Sequence, residues 1–188
     1  MTNSAMQQLY QQIILDHAKS RNGAPAGGLP PLGEVGTVPG ASPTGAGSGL
    51  RVTESHQVNT TCGDEVTLRI GVRGGEAGGP PASGGVPASG AEPTGDAVIE
   101  EFAWAGDGCS ISMASASVLH DTVWGEDVAT ARAVLNTFRE MLRSRGTIEP
   151  DEEVLGDAAA FAGVSRYPAR VKCAMLPWVA FEAALLAE

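Results

Sequence analysis

The chain has 188 residues, a formal net charge of −10, 43% apolar residues and 18% charged residues. That balance supplies a core for one domain, and its negative surface repels nucleic-acid phosphates and anionic lipid headgroups alike. No run nears the roughly 18–20 apolar residues of a membrane span, and three cysteines are too few for a disulfide framework, so the expectation is a cytoplasmic protein with no nucleic-acid and no membrane partner.

Met6, Leu9, Tyr10, Ile13, Ile14 and His17 recur at spacings of three and four, which predicts an amphipathic helix opening near Asn3 or Ser4. His17 falls on the apolar stripe and reads as a packed histidine rather than a ligand. Residues 23–50 then hold 9 glycines and 5 prolines, and residues 74–95 hold 8 and 4, together 17 of the 25 glycines in the chain. Neither stretch has periodicity or enough large apolar groups to offset the entropy of ordering it. Both are expected to be flexible excursions from a single domain spanning 1–188. Three stretches alternate as strands: Arg51–Asn59 with Val52 and Val58 as apolar markers, Glu65–Val72, and Ala97–Trp104. The last two flank the second excursion as a hairpin with an enlarged tip. After Cys109 the pattern is helical. It is small and apolar over Ser110–Val123, amphipathic over Glu126–Arg145 with Gly146 as the stop, short from Pro150 to Gly163, and amphipathic again up to Leu186. One helix, three strands and then helices predict an α+β fold, a small three-stranded antiparallel sheet packed with about five helices.

Each cysteine sits in a context that packing does not require. Cys62 lies in Asn59-Thr60-Thr61-Cys62-Gly63-Asp64, between two predicted strands, where a glycine lets a thiolate and a carboxylate turn toward one point. Cys109 follows Gly106-Asp107-Gly108 at a predicted helix start, where unpaired N–H groups and the helix dipole favour thiolate. Cys173 follows Arg170-Val171-Lys172, cations that favour its thiolate if they point inward. Three thiolates and one carboxylate suffice for tetrahedral Zn²⁺ or for an iron–sulfur unit. Spacing alone favours three separately buried thiols over a shared site, because no close Cys-x₂₋₄-Cys pair is present.

The remaining candidates carry less. His56 and His120 have no partner in sequence and are expected to be solvated or bonded to backbone. Gly106-Asp107-Gly108 is not followed by a phosphate-loop fingerprint, and Ser112, Ser115 and Ser117 lack a nucleophile elbow. Trp104, Trp124 and Trp178 read as core or interface anchors.

Four segments in order carry a resemblance: Leu9-Tyr10-Gln11-Gln12-Ile13-Ile14-Leu15-Asp16-His17, Cys62-Gly63-Asp64, Gly106-Asp107-Gly108-Cys109-Ser110-Ile111-Ser112-Met113-Ala114-Ser115-Ala116-Ser117, and Gly163-Val164-Ser165-Arg166-Tyr167-Pro168-Ala169-Arg170-Val171-Lys172-Cys173-Ala174. They are similar to the U-type iron–sulfur assembly proteins (IscU, the NifU N-terminal domain and SufU), and the match spans nearly everything outside the two Gly/Pro-rich stretches. Within that family the chain is most similar to SufU. The IscU branch has a histidine before its last cysteine where this chain has Lys172, and the stretch between Cys109 and Cys173 is long, as in SufU.

The resemblance implies a SufE/NifU-like fold and a site made by Cys62, Asp64, Cys109 and Cys173 holding Zn²⁺. It implies a partner cysteine desulfurase of the SufS type and downstream SufBCD-type assembly proteins. In the mechanism it implies, a desulfurase group replaces Cys62 on zinc, and the freed Cys62 thiolate attacks the persulfide and carries the sulfur away. Arg170 and Lys172 are the expected partner-facing cations, and Asp64 tunes how readily the ligand leaves. The alternatives are a scaffold on which the same four residues hold a transient [2Fe–2S] cluster, and a zinc-stabilised interaction module without transfer chemistry. Three departures stand out. Thr60 replaces the family's proline after Asn59, Ser20 replaces its proline before Arg21-Asn22, and Pro177 removes the N–H that would bond the Cys173 carbonyl, so the last helix should start nearer Cys173 or bend.

Overall fold

Alternation in the middle strand sets the architecture. The computed structural model describes residues 3–30, 50–74 and 97–187. Strands β1 (Leu50–Asn59), β2 (Asp64–Arg73) and β3 (Val98–Asp107) form one antiparallel sheet in the order β1-β2-β3. Val66, Leu68 and Ile70 of β2, with Phe102 and Trp104 of β3, line one face and are at most 2% exposed. Helices α2 (Ser110–Val123) and α5 (Pro168–Leu186) pack on that face. They are followed outward by α1 (Asn3–Ser20), α3 (Val128–Arg143), the single turn α4 (Glu152–Leu155) and a 3₁₀ segment, Gly156–Arg166. This is the predicted three-stranded α+β fold with five helices. No helix among the described residues is long and apolar enough to cross a membrane.

The small residues of α2 have a packing reason. Ser112, Ser115 and Ser117 are fully buried, and each hydroxyl is used. Ser112 donates to the Cys109 carbonyl at 2.9 Å, Ser115 donates to the Ala174 carbonyl at 2.6 Å while accepting from Trp178 Nε1 at 3.0 Å, and Ser117 accepts the Asn22 N–H at 3.0 Å. Short side chains let α2 lie against α5, and each of these three buried hydroxyls is then paired. Asp127 caps α3 by accepting from the Thr130 N–H and hydroxyl at 2.8 and 2.6 Å. Those bonds hold its carboxyl below the usual carboxylate range.

Several local expectations need correction. Val52 and Val58 are 38% and 49% exposed, so β1 turns its polar side inward. Thr53 donates from there to the Ala184 carbonyl at 2.6 Å, and Arg51 Nη1 donates to the Ala187 carbonyl at 2.6 Å. The end of α5 presents carbonyls to this strand, and polar groups satisfy them where valine cannot. His120 is buried rather than solvated, stacked on Trp124 with ring centroids 5.3 Å apart and edge-on to Phe102 at 5.5 Å. Trp124, though, is 43% exposed. His56 bonds across the sheet to the Thr67 hydroxyl at 2.9 Å. His17 is packed as expected, held by the Ser117 hydroxyl at 2.9 Å and by Asp157 at 3.1 Å. The predicted 150–163 helix is instead α4 followed by the 3₁₀ segment, and α5 starts before Cys173 and is assigned as helix through Pro177. Of the 23–50 stretch, Gly23 lies against the sheet edge, its carbonyl accepting the Trp104 N–H at 3.1 Å, and Ala24 packs on the core. Residues 31–49 and 75–96, with the remaining Gly/Pro-rich sequence, lie outside the described residues.

Candidate metal centre

Three elements end at one place. The β1–β2 hairpin closes with the Asn59↔Asp64 pair, leaving Thr60-Thr61-Cys62-Gly63 as its loop. Asn59 builds that loop. Its side-chain Oδ1 accepts the Thr61 N–H at 3.2 Å, and its carbonyl accepts from Cys62 and Gly63 at 3.2 and 2.8 Å. Gly63 takes φ +75°, a conformation that glycine adopts without steric cost. The loop leaves Cys62 exposed and drops Asp64 into the interior, 1% exposed, at the start of β2.

Cys109 is the N-cap residue of α2. Its N–H donates to Asp64 Oδ1 at 2.8 Å and its Sγ lies 3.7 Å from Asp64 Oδ2. Gly108 permits that approach, because a Cβ there would stand 2.6 Å from Asp64 Oδ1. Cys173, on the second turn of α5, is 2% exposed. Its Sγ lies 3.3 Å from Cys62 Sγ, and Asn59 Nδ2 reaches it at 3.4 Å.

One ligand atom each from Cys62, Asp64 and Cys173 lies within 4.8 Å of the other two. Cys109 stands outside that trio and joins it through Asp64, the member that touches both sides. Tetrahedral zinc with thiolates at about 2.3 Å separates its sulfurs by roughly 3.8 Å. The 3.3 Å sulfur–sulfur and 3.7 Å sulfur–oxygen separations are thus on the scale of one coordination sphere. Burial pushes the Cys173 thiol well above the usual thiol range, and Asp64, Cys62 and Cys109 push it further. So much potential negative charge in so little space is relieved by a cation, and three sulfurs with one oxygen suit a borderline-soft divalent ion.

Arg170 and Lys172 do not enter the cluster. Both are exposed, and the Arg170 guanidinium lies 5.5 Å from the centre of the Tyr167 ring. They therefore do not lower the Cys173 thiol as inward-pointing cations would. Sequence reasoning missed Asn59 and Ser112. The signal for Asn59 was an asparagine at a strand end before two threonines, the pattern of an Asx turn. The signal for Ser112 was a hydroxyl three residues into the helix that Cys109 caps; its Oγ lies 3.6 Å from Cys109 Sγ.

The fold and the clustered thiols define a small protein of the NifU N-terminal class, and the NifU-like N terminal domain family matches residues 92–174. The chain is 30% identical over 188 residues to the zinc-dependent sulfurtransferase SufU of Bacillus subtilis (strain 168), covering 99% of this chain and 95% of that one. It therefore belongs to the SufU/IscU family. It is also 41% identical over 87 residues to the iron–sulfur cluster assembly scaffold protein IscU of Streptococcus pyogenes serotype M1, covering 46% of this chain and 54% of that one. Among solved structures, a candidate iron–sulfur cluster assembly scaffold protein for the SUF system from Fervidobacterium islandicum AW-1 superposes with a TM-score of 0.57 at 26% identity, covering 93% of this chain and 94% of that one.

Proposed function

We propose that this chain serves iron–sulfur cluster assembly by accepting sulfur on Cys62 from a SufS-type cysteine desulfurase and passing it to SufBCD-type proteins. The observation that carries this reading is the unequal placement of two adjacent sulfurs. Cys62 is exposed on a hairpin loop, while Cys173, 3.3 Å away, is buried in a helix. The full-length likeness to a zinc-dependent sulfurtransferase supports it. Cys62, Asp64, Cys109 and Cys173 would hold the zinc ion, which would keep their thiols deprotonated near neutral pH. The Cys62 thiolate attacks the outer sulfur of the desulfurase persulfide, the sulfur–sulfur bond breaks, and the desulfurase leaves as a thiolate while Cys62 becomes the persulfide. Asp64 sits beside three sulfurs and tunes how firmly each is held. Arg170 and Lys172 each lie exposed on α5 within three residues of Cys173, two separate cations on a chain of net charge −10. Either cation suits a partner's acidic rim.

The scaffold reading rests on the IscU-like relative and uses the same four residues for a [2Fe–2S] cluster. Lys172, where the IscU branch carries histidine, argues for sulfur transfer. One paired experiment decides between them. Zinc and iron are quantified in the protein as purified, and desulfurase turnover is measured with wild type and with Cys62→Ala. Sulfur transfer predicts stoichiometric zinc without iron, and loss of desulfurase stimulation in Cys62→Ala with most of the fold intact. Stimulation that persists in that variant refutes the transfer role, and an oxygen-sensitive brown chromophore containing iron selects the scaffold.

A further inference from the structure

Resting on the acceptor reading, we infer that Asn59 is a positioning residue that protects the sulfur carried on Cys62 from attack by Cys173. The two sulfurs lie 3.3 Å apart, near enough to react with one another. Once Cys62 carries a persulfide, the Cys173 thiolate can attack its inner sulfur. A Cys62–Cys173 disulfide forms, the bond to the outer sulfur breaks, and hydrosulfide leaves. Atoms and electrons balance without an added oxidant, because the departing sulfur takes the electrons that the two cysteines give up. The cargo is lost and the acceptor is locked.

Asn59 is placed against that outcome. It is 8% exposed, and every polar group of its amide has an assigned use. Oδ1 accepts the Thr61 N–H at 3.2 Å and holds the loop that carries Cys62, while Nδ2 donates to Cys173 Sγ at 3.4 Å, and no described bond joins that nitrogen to the Cys62 sulfur. A donor on one sulfur stabilises charge there and lowers its nucleophilicity relative to its neighbour. The same side chain thus fixes the position of the sulfur that receives and quiets the sulfur that would intercept.

The test loads zinc-bound protein with sulfur from a desulfurase and free cysteine, removes small molecules, and follows sulfide release alongside peptide mass mapping of Cys62 and Cys173. Wild type should hold its persulfide on Cys62. Asn59→Ala should release sulfide faster by about 10–150-fold, the ratio that one hydrogen bond to a charged group carries, with matching growth of a Cys62–Cys173 cross-link. Asn59→Asp keeps the acceptor for the Thr61 N–H and loses the donor, so it should leak as Asn59→Ala does. If it holds sulfur as wild type does, Asn59 only shapes the loop and the inference is overturned. A wild type that takes up no sulfur overturns the acceptor reading instead, whereas equal leakage from wild type and both variants overturns only the role of Asn59. A measurement on wild type covers the case in which the variants misfold. With the spin-active cadmium isotope in place of zinc, the Asn59 side-chain amide protons should show scalar coupling to the metal through Cys173 Sγ. Absence of that coupling, with cysteine couplings visible, also overturns it.

Discussion

Replacing Gly108 by alanine tests the meeting of β2 with the start of α2 without replacing any of the four proposed donors. A methyl group there would stand 2.6 Å from Asp64 Oδ1, 2.8 Å from Ser112 Oγ and 2.9 Å from Asp64 Cβ, where carbon contacts settle near 3.5–4.0 Å. Ser112 can turn its hydroxyl away, but Asp64 is 1% exposed and is fixed by its ladder pairing with Asn59. Relief therefore has to come from moving Gly108 and Cys109 outward, which stretches the 2.8 Å bond from the Cys109 N–H to Asp64. Overpacking of this kind costs about 1–3 kcal/mol and a hydrogen bond to a charged acceptor about 1.5–3 kcal/mol. The two describe one displacement and do not add, so we expect a loss of about 2–3 kcal/mol. Zinc affinity should fall by about 10–100-fold, as it does when groups that orient metal ligands are disturbed. Competition against a chromophoric chelator reads the affinity, and denaturant unfolding of the metal-free protein reads the stability. Gly163→Ala, with nothing within 4 Å of its added methyl, is the neutral control. Unchanged zinc affinity in Gly108→Ala would mean that Cys109 does not share a coordination sphere with Asp64, and the four-donor site would be wrong.

Zinc uptake should release protons and strengthen as pH rises, by up to about tenfold per unit for each proton displaced. The sign follows from Cys173, whose thiol is pushed up by burial and its neighbours and so stays protonated in the metal-free protein until the ion displaces the proton. Calorimetry in buffers of different ionisation enthalpy counts those protons, and a flat pH profile would contradict the assignment. The Tyr10 hydroxyl is raised to about 12 by burial and by its 2.6 Å bond to Glu152. Its protonated form therefore stabilises the fold fully below pH 10 and loses that effect as pH climbs through 12; Tyr10→Phe should remove the late-titrating fraction of phenolate absorbance and flatten the alkaline loss of stability. Phe138 is fully buried and stacked on Trp178 with centroids 4.3 Å apart, so Phe138→Ala should cost about 3–5 kcal/mol in denaturant unfolding. Thr53→Val leaves the Ala184 carbonyl without its 2.6 Å donor and should cost about 1–3 kcal/mol despite raising the strand's apolar content. A stabilised Thr53→Val protein would show that the inward polar side of β1 is not needed.

Most of the architecture is legible in the chain because it depends on local rules. The stripe through Met6, Tyr10, Ile13 and Ile14 and the face of Val134, Phe138 and Met141 are period-3.6 signals, although Leu9, counted on the first stripe, is 48% exposed, and alternation through Val66, Leu68 and Ile70 marks a strand with one buried side. The position of Cys62 on a loop also follows, because an asparagine, two threonines and a glycine separate two alternating runs. The faces were less legible where burial depends on a distant element. Val52 and Val58 pattern as an inward side, yet the carbonyls at the end of α5 demand donors from β1, so Thr53 and Arg51 face them instead. His120 looks like a helix surface residue until Phe102 and Trp124 close over it. Arg170 and Lys172 precede Cys173 in sequence, but helical geometry points neighbours in different directions, and both ended in solvent.

Composition and local pattern settle the inventory: which residues can ionise, coordinate or cap, and which short segments hold them in loops, strands and helices. Their company is set by long-range packing. It set Cys173 Sγ against Cys62 Sγ although 111 residues separate them, and it kept Cys109 beside Asp64 but outside the tighter trio. The physical reason is that local propensity acts over one turn or one hairpin. The distance between remote sulfurs is set by how α2 and α5 pack on the sheet, a sum of many small contacts that no single segment encodes.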